Sequence, residues 1–241
     1  MWLKWTPLLP LLAAQAIYVK STTLKLPGAR GDTSGVIAGD APALRLLVIG
    51  DSVAAGAGIA TFADALVGQI ASSLHERTQR SIHWQVIGKI GVTLETTYTE
   101  LLPLVANSPL DVIVISQGVN DTTHLHLQKR YEQNLIRLID ALQVRTHHPL
   151  IILPAVPRLE QFPALPYPLR TFLGERVRVL DSAAERLTLS NVQHVPFPEI
   201  PVTPEYFCED GFHPGIKACA MWGGMLADAI VQRLADDLRN E

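Results

Sequence analysis

The chain is poor in cysteine, aromatic residues and charge. Two cysteines, Cys208 and Cys219, occur in 241 residues. They form no C-x-x-C pair and no zinc-type spacing, which removes redox-motif and structural-zinc readings. They stand either as two separate thiols or, in an oxidising compartment, as a disulfide around the loop between them. Charged residues make up 18% of the chain and the formal net charge is −3, so the electrostatic footprint of a nucleic-acid binder is missing. Lys129-Arg130 is only a pair, of the kind a solvated helix face carries. No apolar run reaches the roughly 20 residues of a spanning helix. Leu8 to Val19 comes nearest, with Lys4 ahead of it and Ala14-Gln15-Ala16 in the form of an A-x-A cleavage site. Three readings stay open for that stretch: a cleaved export signal, an uncleaved membrane-associated helix, and a helix packed on the domain. The first two favour an exported or membrane-associated location over the cytoplasm.

Hydrophobic residues supply 48% of the chain, enough for one α/β domain with a sizeable core. Residues 1–43 read as an apolar segment followed by a linker or surface arm rich in Gly, Pro, Ser, Thr and Asp, dispensable for chemistry. Residues 44–241 read as the catalytic domain. Short apolar runs begin at Leu44–Ile49 and recur at Ile82–Ile87, Asp111–Ile115, Leu150–Leu153 and Val192–Val195. Such continuous runs suit parallel strands buried on both faces. Between them lie helical patterns over Phe62–Arg77, Thr93–Ala106, Gln128–Val144, Leu169–Leu187 and Ile216–Leu238. The alternation predicts a doubly wound sheet of about five parallel strands with helices on both faces. Ligands in such sheets bind beyond the carboxyl ends of the strands.

Four segments at those ends carry reactive residue types. After the first strand comes Gly50-Asp51-Ser52, where a tight strand-to-helix turn exposes a hydroxyl near free backbone N–H groups. The G-x-S-x-G elbow is not completed, because Ala54 fills its last position. Gly91, in Gly91-Val92-Thr93, follows the second strand and lets a backbone N–H approach a ligand. Asn120, in Gly118-Val119-Asn120-Asp121, follows the third and can aim its amide at a developing oxyanion. Late in the chain, Asp210 and His213 stand three apart on a turn before a helix. That spacing sets a carboxylate against imidazole Nδ1 and leaves Nε2 for a serine. Singly, each has an ordinary turn or cap explanation. Jointly they supply every part of an acyl-transfer site. No Walker A or dinucleotide fingerprint occurs. His124-Leu125-His126 has poor spacing for one helix face and reads as a surface loop rather than a metal site. His147-His148 reads as a helix end. The Pro-rich stretch from Pro154 to Pro168 either walls the substrate site or packs on the core.

In its blocks and their order the chain resembles the GDSL/SGNH hydrolases from about Leu44 to the final helix. The family serine falls on Ser52, its glycine on Gly91, its asparagine on Asn120, and its Asp-x-x-His on Asp210 and His213. The residues after the serine, Val53-Ala54-Ala55-Gly56, are a variant of the usual block. Gly88 lies close to Gly91, but Gly91-Val92-Thr93 is more similar to the family pattern. The resemblance implies a flavodoxin-like fold and ester hydrolysis through a Ser52-His213-Asp210 triad. The oxyanion hole falls on the N–H groups of Ser52 and Gly91 and the side chain of Asn120. It implies a small-molecule acyl ester as substrate and calls for no metal or organic cofactor. Short- to medium-chain acyl esters are the first reading of the substrate. A carbohydrate O-acetylesterase, a lysophospholipase or thioesterase, and a catalytically silent binding module are the alternatives; the intact Ser, Asp and His argue against the last.

Overall fold

The computed structural model describes residues 2–187 and 189–240. Its centre is one six-stranded sheet: β1 (Ser34–Ile37), β2 (Ala41–Gly50), β3 (Arg80–Gly88), β4 (Val112–Ser116), β5 (Leu150–Pro154) and β6 (Val192–Val195). The order across it is β1-β3-β2-β4-β5-β6. β2 to β6 run parallel, as the apolar runs predict, and β4 and β5 are buried along their whole length. β1 is the departure. It pairs antiparallel with β3, from Ser34 opposite Gln85 to Ile37 opposite Ile82, and makes the sheet mixed. Its source lies in the stretch expected to be a linker. Four residues with burial on alternate positions are too few to register as a strand until an edge is offered.

Helices cover both faces. α1 (Leu9–Thr22) lies outside the sheet. α2 (Leu66–Thr78) and α7 (Ile216–Asn240) pack together on one face. Leu66, Ile70 and Leu74 of α2 recur at four-residue spacing and are fully buried against Leu46 and Val48 of β2 and Leu226 and Ile230 of α7. On the other face, α5 (Gln128–Thr146) and α6 (Leu169–Glu185) cover Ile113, Ile115 and Ile151. Truncating any of these buried leucines to alanine costs about 2–5 kcal/mol.

The pattern over Thr93–Ala106 gives no regular helix. The chain forms α3 (Leu94–Thr96), one π-type turn (Thr97–Leu101) and one 3-10 turn (Leu102–Leu104). Pro103 and the threonine-rich start explain the failure, since proline lacks a donor and threonines compete for backbone groups. The helix expected from Phe62 starts at Leu66, and Phe62 packs in the core ahead of it. α5 ends at Thr146, with His147 and His148 both in left-handed conformations, φ 62° and 58°.

Residues 23–37 are not a loose arm. Gly58 N donates to Pro27 O (2.9 Å), Ala29 N to Ala55 O (2.9 Å) and Arg30 N to Ala60 O (3.0 Å). These bonds lay the segment against the turns that follow Ser52.

Candidate active site

β2 ends in Gly50, whose backbone runs so close to β4 that a Cβ there would sit 1.9 Å from Ser116 O. Only glycine fits, and the next residue, Asp51, donates its N–H to the same carbonyl at 3.1 Å. Ser52 follows, partly exposed, in a run of turns closed by Ala55 N to Asp51 O and Ala57 N to Ser52 O, both 2.9 Å. No helix begins here; the first residue of α2 is Leu66. The expected strand-to-helix turn is instead a strand followed by successive turns. The Asp51 side chain points inward, with Oδ1 accepting the Val53 N–H at 3.1 Å. Burial pushes its carboxyl up to about 7, against the Val53 hydrogen bond and the charge of His213, with Asp121 raising it further. Asp51 therefore responds to His213 although the two are far apart in the chain.

Asp210 and His213 form a closed loop. His213 Nδ1 lies 2.6 Å from Asp210 Oδ2. Asp210 Oδ1 accepts the backbone N–H groups of Phe212 and His213, both at 3.0 Å. Burial opposes charge on Asp210, but the His213 side chain and these two N–H groups prevail and hold it below the usual carboxylate range. An ionised Asp210 can only accept, so Nδ1 of His213 carries a proton toward it, and in the neutral imidazole the lone pair is then on Nε2. Gly211, at φ 63°, makes the reversal that brings residue 213 back over residue 210. Cys208 N to His213 O (2.8 Å) and Gly215 N to Tyr206 O (2.8 Å) clamp the loop ends.

This loop abuts the Ser52 turns. Cys208 Sγ lies 3.3 Å from Pro214 O and 3.7 Å from Ala57 O, and a Cβ on Gly58 would meet Cys208 Sγ at 2.7 Å. Cys208 and Cys219 are free thiols. Burial raises both, Cys208 to about 11 and Cys219 to about 12, so neither is a thiolate at neutral pH. Among the described residues no hydrogen bond joins Ser52 to His213. Such bonds are often long before substrate is bound.

Gly91 lies in the turn after β3, exposed and at φ 82°; a Cβ there would touch nothing, so conformation rather than space requires glycine. Gly88 differs: a Cβ there would meet Ala55 N at 2.4 Å, so this glycine seats the end of β3 against the Ser52 turns. Asn120 sits in the first turn of α4 (Val119–Thr123), partly exposed, and its side-chain amide has no partner among the described residues. The residue beside it was not singled out in the sequence. Asp121 is fully buried; Oδ2 accepts Leu94 N at 3.1 Å and Oδ1 meets His126 Nδ1 at 2.9 Å. Burial raises its carboxyl, and His126 and the Leu94 N–H offset part of that. His126 is thus an interior partner of Asp121, not a residue of a free surface loop, while His124 Nδ1 meets Asn120 O at 2.8 Å. The signal was available in the Asp-x₄-His spacing, but nothing in sequence distinguishes it from a chance pair.

The Pro-rich stretch packs on the core and braces the site. Leu159, Phe162 and Leu165 are buried, and Phe162 meets Phe207 and Phe212 edge-on at 5.7 and 5.1 Å. An apolar cavity of about 30 Å³ lies there, walled by Phe162, Phe197, Phe207, Phe212 and Trp222. A small crevice lined by Asp51, Ser116 and Gln117 among apolar residues shares Pro157 and Trp222 with it. A groove of about 860 Å³ between Tyr98 and α5 holds none of the five motif residues.

A GDSL-like esterase of Mycobacterium tuberculosis is 28% identical over 203 residues, which are 81% of this chain and 64% of that protein; the chain thus spans somewhat under two thirds of the length of this curated relative. A carbohydrate esterase family 2 enzyme of Corynascus thermopiles superposes with a TM-score of 0.62 at 18% identity, covering 80% of this chain and 67% of the other. A lipase/acylhydrolase of Enterococcus faecalis gives 0.57 at 20% identity, covering 79% and 96%. At such identities these two structures speak for the fold. Residues 48–218 match the GDSL-like lipase/acylhydrolase family, and that span holds Ser52, Gly91, Asn120, Asp210 and His213: the chain belongs to this family.

Proposed function

We propose that the chain is a serine esterase that hydrolyses carboxylic acid esters with short- to medium-chain acyl groups. The observation that carries this reading is the Asp210–His213 hydrogen bond of 2.6 Å, on a loop lodged against the turns that bear Ser52. In the proposed reaction His213 Nε2 takes the Ser52 hydroxyl proton as Oγ bonds to the ester carbonyl carbon. The carbonyl electron pair moves onto oxygen, which the N–H groups of Ser52 and Gly91 and the Asn120 amide receive. Collapse breaks the bond to the leaving oxygen, which takes the proton from His213. Water then attacks the acyl-Ser52 ester, giving a proton to His213, and the second collapse returns it to Ser52. Asp210 stays ionised throughout and stabilises the imidazolium.

The small aromatic cavity behind Phe212 supports an apolar group of modest size. The same machinery serves a carbohydrate O-acetylesterase, and the Corynascus structure is that of a carbohydrate esterase. A panel of p-nitrophenyl esters from acetyl to octanoyl, run beside an acetylated glycan, separates the two. Ser52→Ala is expected to abolish hydrolysis with the fold intact, and an organophosphonate to label Ser52. Full activity in that variant, with the label on another serine, overturns the assignment.

A further inference from the structure

The N-terminal helix is apolar nearly all round, yet only one side of it is covered. α1 meets the domain along one narrow stripe: Leu12 is buried and Val19 half-buried against the cluster built around α6, and Gln15 faces inward. Gln15 Nε2 donates to Tyr167 O (2.8 Å) and its Oε1 accepts Leu169 N (3.1 Å). Just ahead, Trp5 stacks edge-on to Phe172 at 5.5 Å and donates to Glu175, which also pairs with Lys4. The helix is therefore anchored by Leu12, Val19 and Gln15, and its other large apolar residues look outward. Leu9, Leu11, Ile17 and Tyr18 are exposed, Ile17 at 70% and Tyr18 at 64%, with alanines between them and Tyr167 exposed nearby at 71%. Soluble surfaces rarely present such a contiguous apolar patch without a partner.

Charge says which partner. The whole chain carries 20 Lys and Arg against 23 Asp and Glu, yet residues 1–30 hold four of the cations and no acidic residue. Lys4 is committed to Glu175, which leaves Lys20 in the last turn of α1 and Lys25 and Arg30 in the segment that follows it. Among the described residues no helix is long and apolar enough to cross a membrane. A short helix with an apolar outer face and cationic flanks suits the headgroup boundary of a bilayer. We propose that α1 is an interfacial anchor that seats this protein on an anionic lipid surface, with Leu9, Leu11, Ile17 and Tyr18 in the apolar layer and Lys20, Lys25 and Arg30 against the headgroups. Trp5 and Leu12 share a packed cluster with Phe207 and Phe212 of the Asp210–His213 loop, so the anchor is coupled to the chemical end of the molecule.

The test is flotation of the full chain with vesicles of phosphatidylcholine alone and of phosphatidylcholine with one quarter phosphatidylglycerol. The wild-type chain is expected to float with the anionic vesicles and at least tenfold less with the neutral ones. Leu11→Glu/Ile17→Glu is expected to lose at least tenfold of the bound fraction, and Lys20→Glu/Lys25→Glu to lose the preference for anionic lipid. Both variants keep wild-type rates on a soluble ester, which separates failure of the anchor from failure of the esterase reading. Three results overturn the proposal: wild-type chain that stays at the bottom of the gradient with both vesicles, binding that survives Leu11→Glu/Ile17→Glu, and protein from the producing cell whose N-terminus begins after Ala16. A wild-type dimer by sedimentation that becomes a monomer in Leu11→Glu/Ile17→Glu also overturns it, by assigning the face to a second copy.

Discussion

Asp121 Oδ2 accepts the Leu94 N–H at 3.1 Å and thereby ties the loop that carries Gly91 to the helix that carries Asn120. Two proposed oxyanion donors, from segments after different strands, are held in register by one buried carboxylate. Its other oxygen meets His126, whose carbonyl accepts from Arg176 at 2.7 Å. Asp121 is fully buried, so any effect on the proposed reaction would act through the groups it positions.

Removing that tie is expected to act on turnover more than on binding. Asp121→Ala frees both donors and leaves the Leu94 N–H and His126 without a partner, a cost of about 1–3 kcal/mol for each buried group. We expect kcat to fall by about 10²-fold, as for one lost oxyanion donor, with little change in KM. Asp121→Asn keeps an acceptor for Leu94 and is expected to retain more activity. Steady-state kinetics of the pair decide it: equal losses in the two variants, or a loss confined to KM, sink the positioning role.

Loss of Asn120 itself is expected to lower kcat by about 10²–10³, again with a smaller effect on KM. Asn120→Ala with unchanged turnover, where chemistry is shown to be rate-limiting, removes this residue from the site.

The Asp210–His213 pair predicts an acid limb. His213 must be neutral to accept the Ser52 proton, so kcat/KM is expected to fall in acid as one essential base is lost. Asp210→Asn permits the wrong imidazole tautomer, with a loss of up to about 10⁴. pH–rate profiles of wild type, Asp210→Asn and His213→Ala test this. A near-normal rate with the same acid limb in His213→Ala would mean that another group is the base.

Asp51 makes stability depend on pH in the opposite sense from a salt-bridged carboxylate. Its folded carboxyl is raised to about 7, whereas an unfolded aspartate titrates near ~3.9. Between those values the unfolded chain has lost a proton that the folded chain keeps. Stability therefore falls as pH rises through that window and levels off above it. Asp51→Asn still offers an oxygen to the Val53 N–H but has no proton to lose. Urea unfolding at pH 4.5 and 7.5 is expected to show the variant gaining on wild type at the higher pH. A difference between the two proteins that does not change with pH rejects this account.

The segment before β2 is expected to matter in part. A chain beginning at Thr23 keeps β1, the Gly58 N–H bond to Pro27 O, and the bonds that Ala29 and Arg30 donate to the turns after Ser52. A chain beginning at Pro42 loses them. Each such bond contributes about 0.5–1.5 kcal/mol, so the shorter chain should melt roughly 5–10 °C lower and turn over a soluble ester more slowly. Equal Tm and kcat in the two chains would show that the brace is idle.

Much was legible in the residues alone. The five parallel strands could be read because strands buried on both faces must be continuously apolar, and the Val-Ile-Val-Ile run of β4 has no other home. Asp210 and His213 could be paired because three residues of chain and one glycine turn are enough to close a carboxylate on an imidazole. Other features are decided by neighbours that are remote in sequence. β1 exists because β3 offers an unpaired edge, and the turns after Ser52 are held by residues 27–30, which carry no pattern of their own. Asp51 and Asp121 look like any turn aspartates until the packing around them removes water and brings His213, Leu94 and His126 within reach. Nor can hydropathy say which face of α1 looks outward, since that helix is apolar nearly all round; the choice rests with Gln15 and the two backbone groups of residues 167 and 169 that it satisfies. Local periodicity specifies what is buried by its own element, whereas a buried polar group takes its meaning from the partner that the fold sets against it.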